Sequence, residues 1–421
     1  MPSPIRHTVV PMGSQSELSF ERQVLDAFQV LRGSLIEVFA SAGMDMSKPY
    51  PAARKLEVNK NLTWKASKII RATGPQEAIR HLPGKAGMKL LLDALERHGA
   101  DPEVVVRTRD AVMALDELIE RHSGDKATLE LMLDSMLDGD GESEQLETSR
   151  KLAYRGNSGV WGMQVRARLT TFVMAPSGDG SELFDNLLLT GFLGLRRLRP
   201  ETPWTLLRLR SYTDTGEAIE KANGSVPLDP KAEEVWGVPL VAGFSTPHMP
   251  PLETRAEGDE MLIDMPGVPV GKQGSVDAWF GRVDRSFASM YATDVDTHGE
   301  FLTDYTLPIQ EAQFDVVIHR DLPRFDEASF QVYSRLDGRL PAPSMRRNKL
   351  ALPIKTDVRE LGPGLHAMAT PLYPRYTELI QDAFDRLGWD PREFYTLRAK
   401  VEYPPMATTG VFSFPLVQRD R

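Results

Sequence analysis

The chain contains no cysteine, and that absence removes several chemistries at once. A disulfide framework, an iron–sulfur cluster, a cysteine-type zinc site and a thiol nucleophile are excluded, and a reducing cytoplasm is the expected setting. Long apolar runs are missing too. The greasiest stretch, residues 187–195, is interrupted by Thr190, Gly191 and Gly194 and is far too short to span a bilayer. The opening residues carry Pro2, Pro4 and Pro11 and lack the apolar core of a signal peptide. The expectation is a soluble, cytoplasmic protein with no membrane contact. No GxGxxG follows a strand, and HExxH and GxSxG do not occur. The eight histidines are scattered, with no pair at metal-ligand spacing. The chain is therefore expected to carry no cofactor, no metal and no catalytic set.

What is present is an ordinary folding composition. Hydrophobic residues make up 41% and charged residues 26% of 421, which argues for a folded chain of two or three domains. Residues 1–16 read as a flexible tail. From there to residue 155 the patterning is helical. Val24, Phe28, Leu31, Leu35 and Phe39 recur at steps of three or four, an amphipathic stripe ending at Gly43. Further helices are predicted at 52–57, 62–71, 76–80, 88–98, 102–121, 126–137 and 145–154. Asp101 before Pro102 reads as an N-cap with proline in the first turn.

After Gly156 the texture becomes strand-like. Trp161, Met163, Val165, Ala167 and Leu169 alternate with Gln164, Arg166 and Arg168, the pattern of a half-buried strand with its arginines in water. Strands are also predicted at 187–195, 205–212, 314–319, 330–336 and 394–403, with one late helix at 376–387. The fold class expected is α+β. An all-α domain at 17–155 would precede a larger α+β domain at 156–421, with a role in effector sensing or oligomerisation.

The formal net charge of −9 hides an asymmetry. Residues 48–89 hold ten basic and two acidic side chains, a net +8, whereas residues 101–150 hold five basic and fourteen acidic ones. A basic module inside an acidic protein is the electrostatic footprint of phosphate binding. Within it, advancing about 100° per residue puts Leu62, Ala66, Ile69 and Ile70 on one arc of a helix. Lys60, Asn61, Trp64, Lys65, Lys68 and Arg71 share the opposite side. The short helix before it supplies Ala52, Ala53 and Leu56, with Val58 opening the turn.

This segment, PAARKLEVNKNLTWKASKIIR, resembles the helix–turn–helix of bacterial transcriptional regulators. The resemblance spans about 25 of the 421 residues, and Glu57 stands where the family has glycine at the start of the turn. It implies a first helix that braces a second, whose amino end enters the major groove of double-stranded DNA. Asn59, Lys60, Asn61, Trp64, Lys65 and Lys68 then fall at the turn and on the exposed face of the recognition helix. Asn61 would meet an adenine edge while the lysines hold phosphates. Reading a palindrome needs a homodimer, for which the Val24–Phe39 stripe is a candidate interface. A small-molecule effector of unknown identity is the other expected partner.

Other segments carry less. Residues 81–87, HLPGKAG, are similar to a helix–hairpin–helix turn but are longer, and read better as a loop with a helix start. Asp294, Asp296, His298 and Glu300 alternate like a calcium loop that fails to close, which favours a polar turn. GVPVGKQ at 267–273 is one residue short of a phosphate loop and lacks its hydroxyl. Arg196, Arg197, Arg199, Arg208 and Arg210 read as the wet face of a sheet pairing with surplus acids. The functional expectation is a DNA-binding transcriptional regulator. The alternatives are a protein–protein interaction or structural role without DNA binding, and a metal-dependent enzyme in the C-terminal domain.

Overall fold

The computed structural model describes residues 19–135, 144–200, 204–209, 225–257, 260–265, 270–292, 297–325, 327–334, 350–354 and 356–418. The expected tail at 1–16 lies outside them. The fold is α+β, in two compact units that divide between Ser143 and Glu144. The boundary expected after residue 155 falls inside a helix, Glu144–Trp161. That helix belongs with the sheet unit, because buried Arg150 donates Nη1 to the Glu402 carbonyl. No helix among the described residues is long and apolar enough to cross a membrane.

The first unit is helical. Helix α1 (Phe20–Ser41) starts at Ser19, whose hydroxyl accepts from the Arg22 amide. Its stripe of Val24, Phe28, Leu31, Leu35, Val38 and Phe39 is wholly buried in this unit's own core. At about 1.5–3 kcal/mol per buried side chain, that stripe holds the unit together, and it is therefore not a dimer interface. Next come α2 (Pro49–Lys55), α3 (Lys60–Arg71), α4 (Pro75–Arg80) and α5 (Lys85–Arg97). Helix α6 (Pro102–His122) is capped by Asp101, which accepts from the Glu103 amide at 2.8 Å. It runs antiparallel to α1. His122 meets Phe20 at one end, and the Asp101 amide donates to Ser41 Oγ at the other. Helix α7 (Lys126–Ser135) completes the unit.

The second unit opens with α8 (Glu144–Trp161), which continues through Gly156 to Trp161, residues expected to begin the first strand. The strands are β1 (Met163–Pro176), β2 (Leu183–Arg197), β3 (Trp204–Leu209), β4 (Ser225–Pro227), β5 (Glu253–Glu257), β6 (Glu260–Met265), β7 (Val276–Ser289), β8 (His298–Tyr305), β9 (Ile309–His319), β10 (Ser329–Ser334), β11 (Arg359–Pro363), β12 (Phe394–Glu402) and β13 (Thr408–Pro415). Helices α9 (Pro230–Trp236) and α10 (Tyr376–Leu387) interrupt them. Among the described residues, seven strands form one sheet in the order β11-β12-β9-β1-β2-β7-β4. Two three-stranded sheets, β10-β13-β8 and β3-β6-β5, accompany it.

Strand register sorts the large sheet's side chains into rows, because successive residues point to opposite faces. On one face Arg398, Asp315, Thr171 and Leu189 lie side by side across β12, β9, β1 and β2, and α10 packs over them through Tyr376, Leu379, Ile380, Ala383 and Phe384. On the other face Phe172, Phe192, Phe280, Phe314 and Val316 join Phe301, Phe330 and Phe412 of the strands that cover them. With both faces covered, β1 is buried almost throughout. The expected wet side of this strand holds at Arg166, which is exposed, and fails at Arg168, which is only 7% exposed. Gly191 has a close packing reason to be glycine: a Cβ there would stand 2.7 Å from three ring carbons of the fully buried Trp279.

Candidate nucleic-acid interface

Helices α2 and α3 form the expected helix–turn–helix pair, joined by residues 56–59. Ala52, Ala53 and Leu56 are buried, so α2 braces the core as its composition requires. The turn needs a left-handed residue, and Glu57 supplies it at φ 54°, where glycine would be unstrained. Asn59 caps α3, its Oδ1 accepting from the Asn61 amide at 2.9 Å. Its side chain is thus engaged in starting the helix.

The buried side of α3 is broader than the predicted arc. Ala66 and Ile69 are buried and Leu62 and Ile70 half-buried, but Thr63 and Ser67 are also buried. Thr63 Oγ1 donates to the Pro49 carbonyl at 2.8 Å, and Ser67 Oγ to the Met46 carbonyl at 3.0 Å. Two hydroxyls thereby tie α3 to the chain leading into α2. Arg71, expected on the cationic side, turns the same way and donates to the carbonyls of Met46 and Ser47.

The opposite side divides in two. At the amino end Asn59, Lys60 and Asn61 are exposed, and Arg54 and Lys55 at the end of α2 are exposed too. Farther along, Trp64, Lys65 and Lys68 are half-buried. Trp64 meets His81 edge-on, with centroids 5.2 Å apart at 81°, and Lys68 Nζ lies 5.8 Å from the centre of the indole. Trp64 is therefore partly a packing residue, covered by the chain after α4. Burial, followed by the nearby Lys68 charge, holds the His81 imidazole below its ordinary range.

Ion pairing marks which cations are committed elsewhere. Lys89 pairs with Asp93 at 2.7 Å, and Lys85 lies 3.9 Å from Asp116. Arg54, Lys55, Lys60 and Lys65 make no ion pair among the described residues. The first two were not singled out from the sequence. Their signal was available in the charge of the window, but not their position beside the α3 amino end.

Residues 81–87 form a plain helix start, as favoured. Lys126 Nζ donates to the carbonyls of Arg80 and Leu82, and Gly87 lets the first turn of α5 approach Leu62, which a Cβ would meet at 3.0 Å. Asp294, Asp296 and residues 266–269 lie outside the described residues. His298 and Glu300 sit on β8 opposite Pro415 and Ser413. Among the described residues no three histidine, aspartate or glutamate side chains cluster as metal ligands. The arginines at the end of β2 and just beyond it pair differently from expectation. Arg196 donates to Gln164 Oε1 at 2.7 Å, Arg199 to the Val160 carbonyl, and Arg197 is fully buried, stacked 4.2 Å from Trp204. The side chains of Arg208 and Arg210 lie outside the described residues.

No protein-family model matches the chain, and no curated protein does. A solved structure from Parabacteroides distasonis, described as that of a proposed protease, is similar over 61% of this chain and 40% of its own length. The identity is 6% and the TM-score 0.23, too low for any argument about fold or activity.

Proposed function

We propose that the chain is a cytoplasmic DNA-binding transcriptional regulator whose helical unit docks α3 into the major groove. The observation that supports this reading is the junction of α2 and α3. Exposed Arg54, Lys55, Lys60 and Asn61 gather there, and Arg54, Lys55, Lys60 and Lys65 have no ion-pair partner among the described residues. In a chain of net charge −9, cations left without carboxylates at one helix end suit a phosphate backbone.

In this reading Arg54, Lys55, Lys60 and Lys65 hold phosphates and release counterions, so affinity falls steeply with salt. Asn61, exposed in the first turn, carries the two donors and the acceptor that match an adenine edge. Trp64 and Lys68 contribute stiffness through His81 more than direct contact. The second unit serves an effector or an oligomer contact.

The test is fluorescence anisotropy of a labelled 30-base-pair random duplex (on the order of three helical turns) with the full chain. Lys60→Glu with Lys65→Glu is expected to abolish retention at low salt while helicity and melting temperature hold. Lys60→Ala is expected to lower the slope of log affinity against log salt by about 1. Equal affinity of the wild type and the double variant sinks the reading.

A further inference from the structure

Helix α8 stops at Gly162, which takes φ 72° and passes the chain into β1. A Cβ at Gly162 would stand 2.7 Å from Arg199 Nε, so glycine lets the chain after β2 close on the helix end. Hydrogen bonds fix the closure. The Leu198 amide donates to the Gly162 carbonyl at 2.7 Å, and Arg199 donates to the Val160 carbonyl. Arg197, beside them, bridges to Val270. Four apolar side chains are thereby gathered at the end of α8, and all four meet water. Val160 is 72% and Trp161 52% exposed, and Leu198 and Val270 are exposed as well. A single exposed apolar residue is ordinary, but a group that includes a tryptophan is the mark of a surface that another molecule covers.

The border of this face is basic. Arg155, Arg196 and Arg199 are exposed, and none of them pairs with a carboxylate among the described residues. Arg196 donates to Gln164 Oε1 and Arg199 to a backbone carbonyl, neutral acceptors that leave both charges unbalanced.

The counterpart lies on α6. Glu103, Val106, Asp110, Met113 and Glu117 follow one another at steps of three and four, which sets them along one side of the helix. All five are exposed, and Val106 and Met113 are each more than half exposed. Arg109 holds Asp93 and Glu96 of α5, but Glu103, Asp110 and Glu117 make no ion pair among the described residues. An apolar centre with a basic border thus matches an apolar stripe between carboxylates in both respects. Neither surface suits its own copy, because like charges would then meet.

We propose that the chain self-associates, the apolar face around Trp161 of one copy receiving the Val106 and Met113 side of α6 from a second copy. Arg155, Arg196 and Arg199 then border Glu103, Asp110 and Glu117. Trp161 is the anchor, a residue type that often dominates such contacts. A two-fold pairing makes the contact twice and closes the assembly at two copies. The contact involves no residue of α3 and does not rest on the DNA reading.

The experiment is sedimentation equilibrium of the full chain at low salt, from about 1 to 100 μM. The expected result is a concentration-dependent rise from the mass of one chain to twice that mass, weakened by added salt. Trp161→Ala is expected to raise the dissociation constant roughly tenfold or more. Arg196→Glu with Arg199→Glu sets carboxylates against carboxylates, and Asp110→Arg with Glu117→Arg sets cations against cations. Each of these two proteins alone is expected to keep the mass of one chain. Mixed in equal amounts they are expected to recover the doubled mass, because opposite charges meet again in both contacts. Melting temperatures show that the variants are folded, and Trp161→Ala, at an exposed position, decides the question where a reversal does not fold. A wild type that keeps the mass of one chain throughout, or a dimer indifferent to Trp161→Ala and to both reversals, overturns the proposal. So does a lone chain whose Trp161 face instead holds phosphatidylserine vesicles or a different protein, since the face would then have another occupant.

Discussion

The Tyr376 hydroxyl donates to the Asp315 carboxylate at 2.7 Å, which pins α10 to the centre of the large sheet. The same hydroxyl bonds Thr171 Oγ1 at 2.7 Å, while Gln313 Nε2 and the Arg398 guanidinium complete the shell of Asp315. Arg398 also caps the carbonyls of Met368 and Ala369, and Thr370 donates to Gln313. A buried network is stabilising only when its members are satisfied, and this one is built to that standard.

Removing one member therefore has a graded effect. Tyr376→Phe keeps the ring and leaves Thr171 short of one partner and Asp315 of one donor, at an expected cost of about 1–3 kcal/mol. Arg398→Met strands the Asp315 charge and is expected to cost about 3–5 kcal/mol. Urea unfolding of the two variants checks the order. Equal losses would mean that the ion pair is not the centre of the network.

How far this was legible in the sequence depends on the range of each interaction. The helices from α1 to α7 were readable because a period of 3.6 residues is a local property, and the Asp101 cap needs only its own first turn. The roles of Thr63 and Ser67 were not legible, since their acceptors are carbonyls of Pro49 and Met46 that only the folded turn brings near. Trp64 looked exposed because its cover, His81, arrives from the far end of α4. Arg168 was misplaced for a different reason. Alternation reports which residues share a face, but whether that face is wet depends on β8, more than a hundred residues later. The pairing of Asp315 with Arg398 is likewise a consequence of register between distant strands. The cationic end of α3 was visible from composition, and the contribution of Arg54 and Lys55 required the turn geometry.

Glu57 gives a test of that turn. Its φ of 54° places a Cβ-bearing residue in the left-handed region, which costs roughly 1–2 kcal/mol. Glycine removes the steric cost and adds some entropy to the unfolded chain. Glu57→Gly is expected to stabilise the protein by about 0.5–1 kcal/mol, read as a higher denaturation midpoint. Under the proposed DNA-binding reading the turn keeps its path, so DNA retention is expected to be equal or better. A lower midpoint would show that the Glu57 side chain contributes more than its backbone strain removes.

His81 makes the neighbourhood of Trp64 sensitive to acid. Burial is the main cause of its lowered pKa, Lys68 adds to it, and Glu77 works in the other direction. The unfolded imidazole titrates near 6.5, so between that value and the lower folded one the unfolded chain binds more protons. The linkage sign follows directly: the stability tied to neutral His81 is fully present above about 6.5 and declines as pH falls toward the folded value. Denaturation midpoints compared at pH 7.5 and 5.5 (about one unit either side of that value) should drop more in the wild type than in His81→Gln. The 5.2 Å contact supplies a second readout. Protonated imidazole against the indole edge should quench Trp64 emission over the same interval, and His81→Gln should flatten that titration. Parallel pH profiles in the two proteins would mean that His81 keeps its proton balance unchanged on folding.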